Sequence, residues 1–207
     1  MNKNFFEINN VTFSIGGKNK VNDVNISIAN EGDIICILGP SGIGKTTMLR
    51  TIAGLEKINQ GEIILKGKVI SSNKIHVEPE KRNIALSFQE NSLFPHYTVD
   101  KNIHLGMKKD PIRNKNINSK EIIKILNIEN ILNKYPHQIS AGEAQRASLA
   151  RSLISQPDLL LLDEPLSNVD QSFKEDIQVA LKQLLNKNKI TTIVVTHDSY
   201  EAFYLGS

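Results

Sequence analysis

Ile34-Ile35-Cys36-Ile37-Leu38 runs directly into Gly39-Pro40-Ser41-Gly42-Ile43-Gly44-Lys45-Thr46-Thr47. An apolar strand that empties into a glycine-rich turn and then a helix is a device for cradling phosphates. Glycines 39, 42 and 44 let the backbone wrap closely enough for successive N–H groups to point at one anion, and a helix starting near Lys45 adds its positive dipole end. Lys45 then reaches the β- and γ-phosphates of a nucleoside triphosphate, and the Thr46 hydroxyl is placed to ligate Mg²⁺. The whole loop, with Pro40, Ser41 and Ile43 between the glycines and Thr47 in the first helical turn, is the candidate nucleotide-binding segment. The bare pattern G-x-x-x-x-G-K-[ST] arises by accident in roughly one chain of this length per hundred. Its setting, strand before and helix after, makes it specific.

The rest of the composition is that of a soluble globular protein. The chain has 207 residues, 40% hydrophobic and 23% charged, enough for one well-packed domain with a small insertion and too few for two large domains. No apolar stretch approaches the ~20 residues that cross a bilayer, and Met1 to Asn10 lacks the apolar core of a signal peptide. The expectation is a chain that stays in the cytoplasm unless a partner holds it at a membrane. The single cysteine, Cys36, excludes an internal disulfide and reads as a small buried core residue. A formal charge of +3 gives no reason to expect nucleic acid, which needs clustered basic residues. Lys108-Lys109 reads as solvated surface.

Apolar runs predict strands at Phe5 to Ile8, Val24 to Ile28, Ile34 to Leu38, Glu62 to Leu65, Ile84 to Phe88, Leu159 to Asp163 and Thr192 to Val195. Helical patterns follow at Lys45 to Ala53, Gly142 to Ser155 and Gln171 to Asn186. Fully apolar strands such as Leu159 to Leu162 predict a parallel sheet covered on both faces, hence an α/β core. From about Val99 to Tyr135 the pattern is helical only, with a polar break at Lys108 to Ser119, and this reads as a helical subdomain inserted into the sheet domain.

Leu159-Leu160-Leu161-Leu162-Asp163-Glu164-Pro165 sets two carboxylates at the C-terminal end of a buried strand, where open α/β sheets gather ligands. In a triphosphate site Asp163 would hold the Mg²⁺ shell and Glu164 would act as general base on the attacking water. Ser140, immediately before a helix, caps free N–H groups. Isolated histidines are most often surface or packing, and His76, His104 and His137 are read so.

Taken together, these residues resemble the nucleotide-binding subunits of ABC transporters over essentially the whole chain, from Phe5 onward. After the Walker A loop, Ser87-Phe88-Gln89-Glu90 resembles the family's Q-loop, which implies that Gln89 touches Mg²⁺ and the attacking water. Ile139-Ser140-Ala141-Gly142-Glu143, followed by Ala144-Gln145-Arg146, resembles the signature that closes over the nucleotide of the opposite subunit. Asp163-Glu164 matches Walker B, Ser167-Asn168-Val169-Asp170 the D-loop, and His197 within Val195-Thr196-His197-Asp198 the switch histidine at the γ-phosphate. The resemblance implies a P-loop NTPase core with a mainly parallel sheet, an N-terminal antiparallel β subdomain and a helical insert at about 99–155, all in one ATP-binding domain over 1–207. It further implies ATP hydrolysis with Mg²⁺, head-to-tail pairing of two copies with Ser140 and Gly142 against the partner's γ-phosphate, and coupling to integral membrane permease subunits at the cytoplasmic face of the inner membrane.

Three departures carry expectations. Ile15 stands where the family usually stacks an aromatic on adenine, a loss of roughly 1 kcal/mol. Ala141 and Glu143 replace the usual Gly and Gln of the signature, which predicts slower hydrolysis. The sequence also stops ten residues beyond His197, where the family usually continues with further strands and a helix, so a shortened edge and lower stability are expected.

Glu78-Pro79-Glu80-Lys81-Arg82-Asn83-Ile84, with Leu93-Phe94-Pro95-His96-Tyr97-Thr98-Val99, is similar to bacterial importer subunits that work with a solute-binding protein, among them those for ferric iron, polyamines, sulfate, thiamine and sugars. Phe94 and Tyr97 read as an exposed aromatic pair on a docking loop. The spacing around Gly67 to Ile70 and Tyr135 to His137 looks most like the ferric-iron group, with thiamine second. A soluble, non-transport ABC ATPase and an inactive ATP-binding scaffold are the competing classes.

Overall fold

Two four-stranded sheets divide the strands of this computed structural model, which describes residues 4–17, 19–88, 93–105, 107, 118–169 and 171–206. The first is antiparallel and is built from β1 (Phe6–Ile15), β2 (Asn19–Ile28), β4 (Gln60–Leu65) and β5 (Lys68–Ser72) in the order β2-β1-β4-β5. The second is parallel and is built from β3 (Ile34–Leu38), β6 (Ile84–Ser87), β7 (Leu159–Asp163) and β8 (Thr191–Thr196) in the order β3-β8-β7-β6.

The alternation of side chains along β7 explains how the layers assemble. Leu159 and Leu161 point to one face and Leu160 and Leu162 to the other, and all four are fully buried. On the first face lies α1 (Lys45–Ala53), whose Met48, Leu49 and Ile52 share a core with Leu159, Leu161, Ile193 and Val195 and with Phe6, Ile8 and Phe13 of the antiparallel sheet. The phosphate-loop helix is therefore clamped between the two sheets. On the second face, Leu160, Leu162 and Val194 pack with α2 (Val99–His104), α3 (Ser119–Ile125), α4 (Ala141–Ile154) and α5 (Gln171–Lys187). Burial of each large aliphatic chain contributes about 1.5–3 kcal/mol, so this double-sided packing fixes β7 firmly. A short α6 (Ser199–Leu205) follows β8 and packs on β3 and α5.

Three differences from the sequence reading have local causes. The first strand continues through Ile15, because the Asn9-Asn10 pair that breaks the alternation is a bulge: Asn10 is left-handed at φ 51°, donates through its N–H to Asn25 Oδ1 (2.9 Å) and through its side chain to Asp23 Oδ1 (2.7 Å). The bulged backbone presses on Gly61, where a Cβ would lie 2.4 Å from the Asn10 carbonyl oxygen. Next, β3 is an apolar run but not a central strand. It ends the parallel sheet among the described residues, with Leu38 51% exposed and Cys36 only half-buried. Burial, with Glu201 nearby, still raises the Cys36 thiol to about 11. Finally, β5 and α6 were missed; α6 is announced by Asp198, whose carboxylate accepts from the N–H groups of Tyr200 and Glu201. The Lys108 to Ser119 break, Lys108-Lys109 included, lies outside the described residues as far as Ile117.

Candidate functional site

The phosphate loop follows β3, His197 follows β8, Asp163 and Glu164 end β7, and β6 leads toward Gln89. Those four strands are consecutive neighbours in one parallel sheet, about 4.8 Å apart, so their C-terminal ends converge on one edge. Gln89 itself, with Glu90, and Asp170 lie outside the described residues.

Two glycines give the loop its path. Gly42 at φ 84° and Gly44 at φ 102° are left-handed, and Gly44 is the N-cap of α1. Space matters as well at Gly44, because a Cβ there would lie 2.6 Å from Ile15 Cδ1 and 3.1 Å from Val21 Cγ2. Ile15, at the adenine-stacking position of the resemblance, thus packs onto the phosphate loop. Lys45 is buried at 8% exposure, and its ammonium donates to the carbonyls of Gly39 (2.7 Å) and Pro40 (2.8 Å), bridging the loop's start. Ser41, Gly42, Ile43 and Thr46 are exposed, while Thr47 is half-buried and its carbonyl accepts from the Thr51 hydroxyl at 2.8 Å.

Thr46 and Asp163 meet through a hydroxyl-to-carboxylate hydrogen bond. Burial raises the Asp163 carboxyl above the ordinary aspartate range; the Thr46 bond and the Lys45 charge oppose that, and the Glu164 charge adds to it. A hydroxyl and a carboxylate oxygen side by side are hard donors of the kind Mg²⁺ takes together with substrate phosphates, so the residues fit that ion. Glu164 is left-handed at φ 46°, and its N–H donates to the Val195 carbonyl at 2.8 Å, which extends the β7–β8 ladder one residue past Asp163. The turn aims the Glu164 carboxylate at His197, with Oε1 2.9 Å from Nδ1. Its side chain is 12% exposed and that of His197 58%. A shielded carboxylate next to an accessible imidazole can take and hand on a proton.

Ser140 and Gly142 stand at the other end of the story, on α4. Ser140 is the N-cap: its Oγ accepts from Glu143 N–H (3.2 Å), and Glu143 Oε2 accepts from Ser140 N–H (2.8 Å). This reciprocal pair is a capping box. The Glu143 carboxylate is turned back onto the helix start, and that backbone bond, opposed by burial and helped by the Ser140 side chain, holds it below the usual glutamate range. Gly142 is needed for packing too, because a Cβ would lie 2.5 Å from the Asn168 carbonyl oxygen.

Two residues escaped the sequence reading as site components. Gln145, 2% exposed, donates through Nε2 to the Glu164 carbonyl (2.8 Å) and Ser167 Oγ (3.2 Å), and its Oε1 accepts from Asn168 N–H (3.0 Å). It ties α4 to the loop behind the candidate base, and a glutamine in a helix carries no signal of that by itself. Asn102, fully buried, holds the 94–98 loop: its Oδ1 accepts from Phe94 N–H at 2.7 Å, and its Nδ2 donates to the carbonyls of Phe94, Tyr97 and Thr98, each at 3.1 Å. Phe94 is 47% exposed as expected, but Tyr97 is half-buried, edge-on to Phe94 and covered by Lys101. Only one member of the aromatic pair is open.

The sequence model of the ABC transporter family matches residues 21–167. The chain is 38% identical over 203 residues to the Fe(3+) ions import ATP-binding protein FbpC of Escherichia coli O157:H7, covering 97% of this chain and 57% of that one. It is 40% identical to the spermidine/putrescine import ATP-binding protein PotA of Haemophilus influenzae over the same number of residues, covering 97% and 53%. The chain thus spans little more than half the length of these relatives. Among solved structures, the ATP-binding cassette MJ0796, in a dimeric post-hydrolysis state bound to ADP and Pi, is 30% identical with a TM-score of 0.79, covering 96% of this chain and 90% of that one.

Proposed function

The chain belongs to the ABC transporter family, and from that premise we propose that it is an ATP-binding and ATP-hydrolysing subunit of an import system. The observation that carries this reading is the convergence on one sheet edge of the Lys45 loop, the Thr46–Asp163 contact and the Glu164–His197 pair.

Mg²⁺, when bound, neutralises developing charge on the transferred phosphoryl group; Thr46, Asp163 and Gln89 are the residues proposed to hold it. The chain's own contributions follow from the geometry. The N–H groups of residues 39–47 and the Lys45 ammonium hold the triphosphate. Glu164 takes the proton of the attacking water, and His197 keeps the carboxylate oriented and stands next to the γ-phosphate. Ser140 and Gly142 of a second copy would complete the pocket, since within one chain their described partners are Glu143 and Asn168. The relative solved as a dimer with ADP and Pi supports such pairing.

The proposed partners are integral membrane permease subunits, reached through the Phe94 loop, and indirectly a solute-binding protein, with the chain peripheral on the cytoplasmic face of the membrane. No described helix is long and apolar enough to cross a membrane. Ferric iron is the solute proposed first, on the spacing around Gly67 to Ile70 and Tyr135 to His137; identities of 38% to an iron and 40% to a polyamine import protein do not rank the solutes. The deciding experiment is the solution mass of the Glu164→Gln variant with and without ATP and Mg²⁺. A shift from monomer to dimer supports the composite site; a monomer that still binds ATP counts against it. Uptake of labelled iron, spermidine and thiamine in a strain lacking the subunit then assigns the solute.

A further inference from the structure

We propose that Arg82, which lies outside the nucleotide site, is a positioning residue for triphosphate binding, holding the phosphate-loop helix α1 by its C-terminal end. This rests on the ATP-binding reading above.

Arg82 is 3% exposed, just before β6. Every edge of its guanidinium is used. Nη1 donates to the carbonyls of Ile52 (2.9 Å) and Thr51 (3.3 Å), in the last turn of α1. Nε donates to the Val77 carbonyl (2.7 Å), and Nη2 to Ser71 Oγ (2.8 Å) on β5, with His76 Nδ1 3.4 Å away. The fork therefore joins three bodies: the helix that begins at Lys45, the antiparallel sheet, and the segment entering the parallel strand next to β7. A positive group against the carbonyl end of a helix is also favourable to the dipole. Gly54, the C-cap at φ 87°, leaves room for it, since a Cβ there would lie 2.4 Å from Arg82 Nε.

Such a buried cation is costly unless it is used. Burial lowers the Arg82 pKa to about 10, with the Glu78 charge opposing, so the group stays charged at neutral pH. No described carboxylate forms an ion pair with it; its neighbours are carbonyls, a hydroxyl and an imidazole. α1 has nine residues, about 13 Å at 1.5 Å per residue, so it moves as a rod. A tilt or slide at the Thr51–Ile52 end displaces Lys45 and Thr46 at the other. Misplacement of reacting groups by about 1 Å can cost ~100-fold. Lysine cannot replace this arginine, because one ammonium cannot reach carbonyls and a hydroxyl on both sides of a planar fork.

The test uses the full chain carrying Arg82→Lys and, separately, Ser71→Ala, which removes one arm of the fork and leaves the α1 contacts. The readouts are thermal unfolding, ATP and ADP affinity, the split of KM against kcat, and amide hydrogen exchange over residues 45–53. Arg82→Lys is expected to raise KM and the ATP and ADP dissociation constants at least ~10-fold with kcat reduced less than ~3-fold, and to speed α1 exchange ~10-fold in a chain that is still folded. Ser71→Ala is expected to raise KM ~3-fold. Wild-type affinity and α1 exchange in folded Arg82→Lys would overturn the proposal. If that variant does not fold, unchanged affinity and exchange in Ser71→Ala overturn it instead. Should the unaltered chain bind no triphosphate, the functional reading fails, and α1 exchange without nucleotide still reports whether Arg82 holds the helix.

Discussion

His197 Nδ1 and Glu164 Oε1 stand 2.9 Å apart at the ends of β8 and β7, two strands that pair directly. A carboxylate only accepts, so Nδ1 carries the proton of this bond and the ring is oriented by it. Proton transfer by a positioned side chain is worth about 10²–10⁴ in rate. Glu164→Gln should therefore lower kcat roughly 1000-fold and His197→Ala roughly 100-fold, with ATP affinity changed less than about threefold in both. Because the two act as a unit, the double variant should lose little more than Glu164→Gln alone. Phosphate release and equilibrium binding on the three variants check this; multiplying losses would show two independent groups.

The capping box gives a different forecast for the altered signature. Glutamine can accept from the Ser140 N–H as glutamate does but lacks the negative charge that the helix start favours, so Glu143→Gln should lower the unfolding temperature slightly at pH 7, with the difference vanishing in acid. Turnover should rise, and further with Ala141→Gly, whose methyl is exposed. Ser140→Ala should cost about 1 kcal/mol of stability. The Glu143 carboxyl is held low in the folded chain, so its stabilisation is present above the ordinary glutamate range and is lost as pH falls through the lowered folded value. Denaturant titrations at pH 7 and below pH 4 compare the variants; turnover that does not rise in the double variant refutes the kinetic half.

Glu201 titrates with the opposite sign. It is 2% exposed, its Oε2 accepts from the Thr196 hydroxyl at 2.6 Å, and Oε1 has no hydrogen-bond partner among the described residues. Burial raises its pKa; the Thr196 bond and Lys174 oppose, and Asp198 and Glu164 add. A raised folded value means that the protonated form is the one folding favours, so its contribution is full below the ordinary glutamate range and fades as pH climbs through the folded value. Glu201→Gln does not titrate. Its stability relative to the unaltered chain should increase from pH 4 toward pH 8, read by urea midpoints at constant ionic strength; a flat difference would show a carboxyl that is not penalised by burial.

Much of this site could be read from residue order because its chemistry is local. Strand, glycine turn and lysine are consecutive from Ile34 to Thr46, and Asp163-Glu164 closes an apolar run, so periodicity and turn chemistry place them without long-range information. The limits of β3 show where that stops: five apolar residues read alike in a central or an edge strand, and only the partner order reveals that β3 has one neighbour among the described residues. Arg82, Asn102 and Gln145 were illegible for the same reason. Each works by bonding to the backbone of another segment, the 94–98 loop for Asn102, the turn after β7 for Gln145 and the end of α1 for Arg82, and backbone groups leave no mark on the residues that carry them. Tyr97 was misread because exposure in a loop depends on what the loop folds against, here Phe94 and Lys101.

Gln145 supplies the sharpest case of action at a distance along the chain. Its amide binds the Glu164 carbonyl and the Asn168 N–H at once, so a single side chain fixes the peptide after the candidate base and the backbone against which Gly142 packs. Gln145→Ala leaves both of those groups without this partner, and each buried group left unmade costs about 1–3 kcal/mol. A loss of roughly 2–4 kcal/mol is expected by urea denaturation, together with a fall in kcat that exceeds any change in ATP affinity, since Glu164 loses its support while the Lys45 loop keeps its own. Gln145→Glu is the more stringent variant, because it keeps an acceptor for Asn168 N–H but sets a carboxylate oxygen against the Glu164 carbonyl. If Gln145→Glu folds, its kcat should fall below that of Gln145→Ala. A kcat in Gln145→Glu well above that of Gln145→Ala would mean that the link to Asn168, which only Gln145→Glu keeps, and not the one to Glu164, is what the reaction uses.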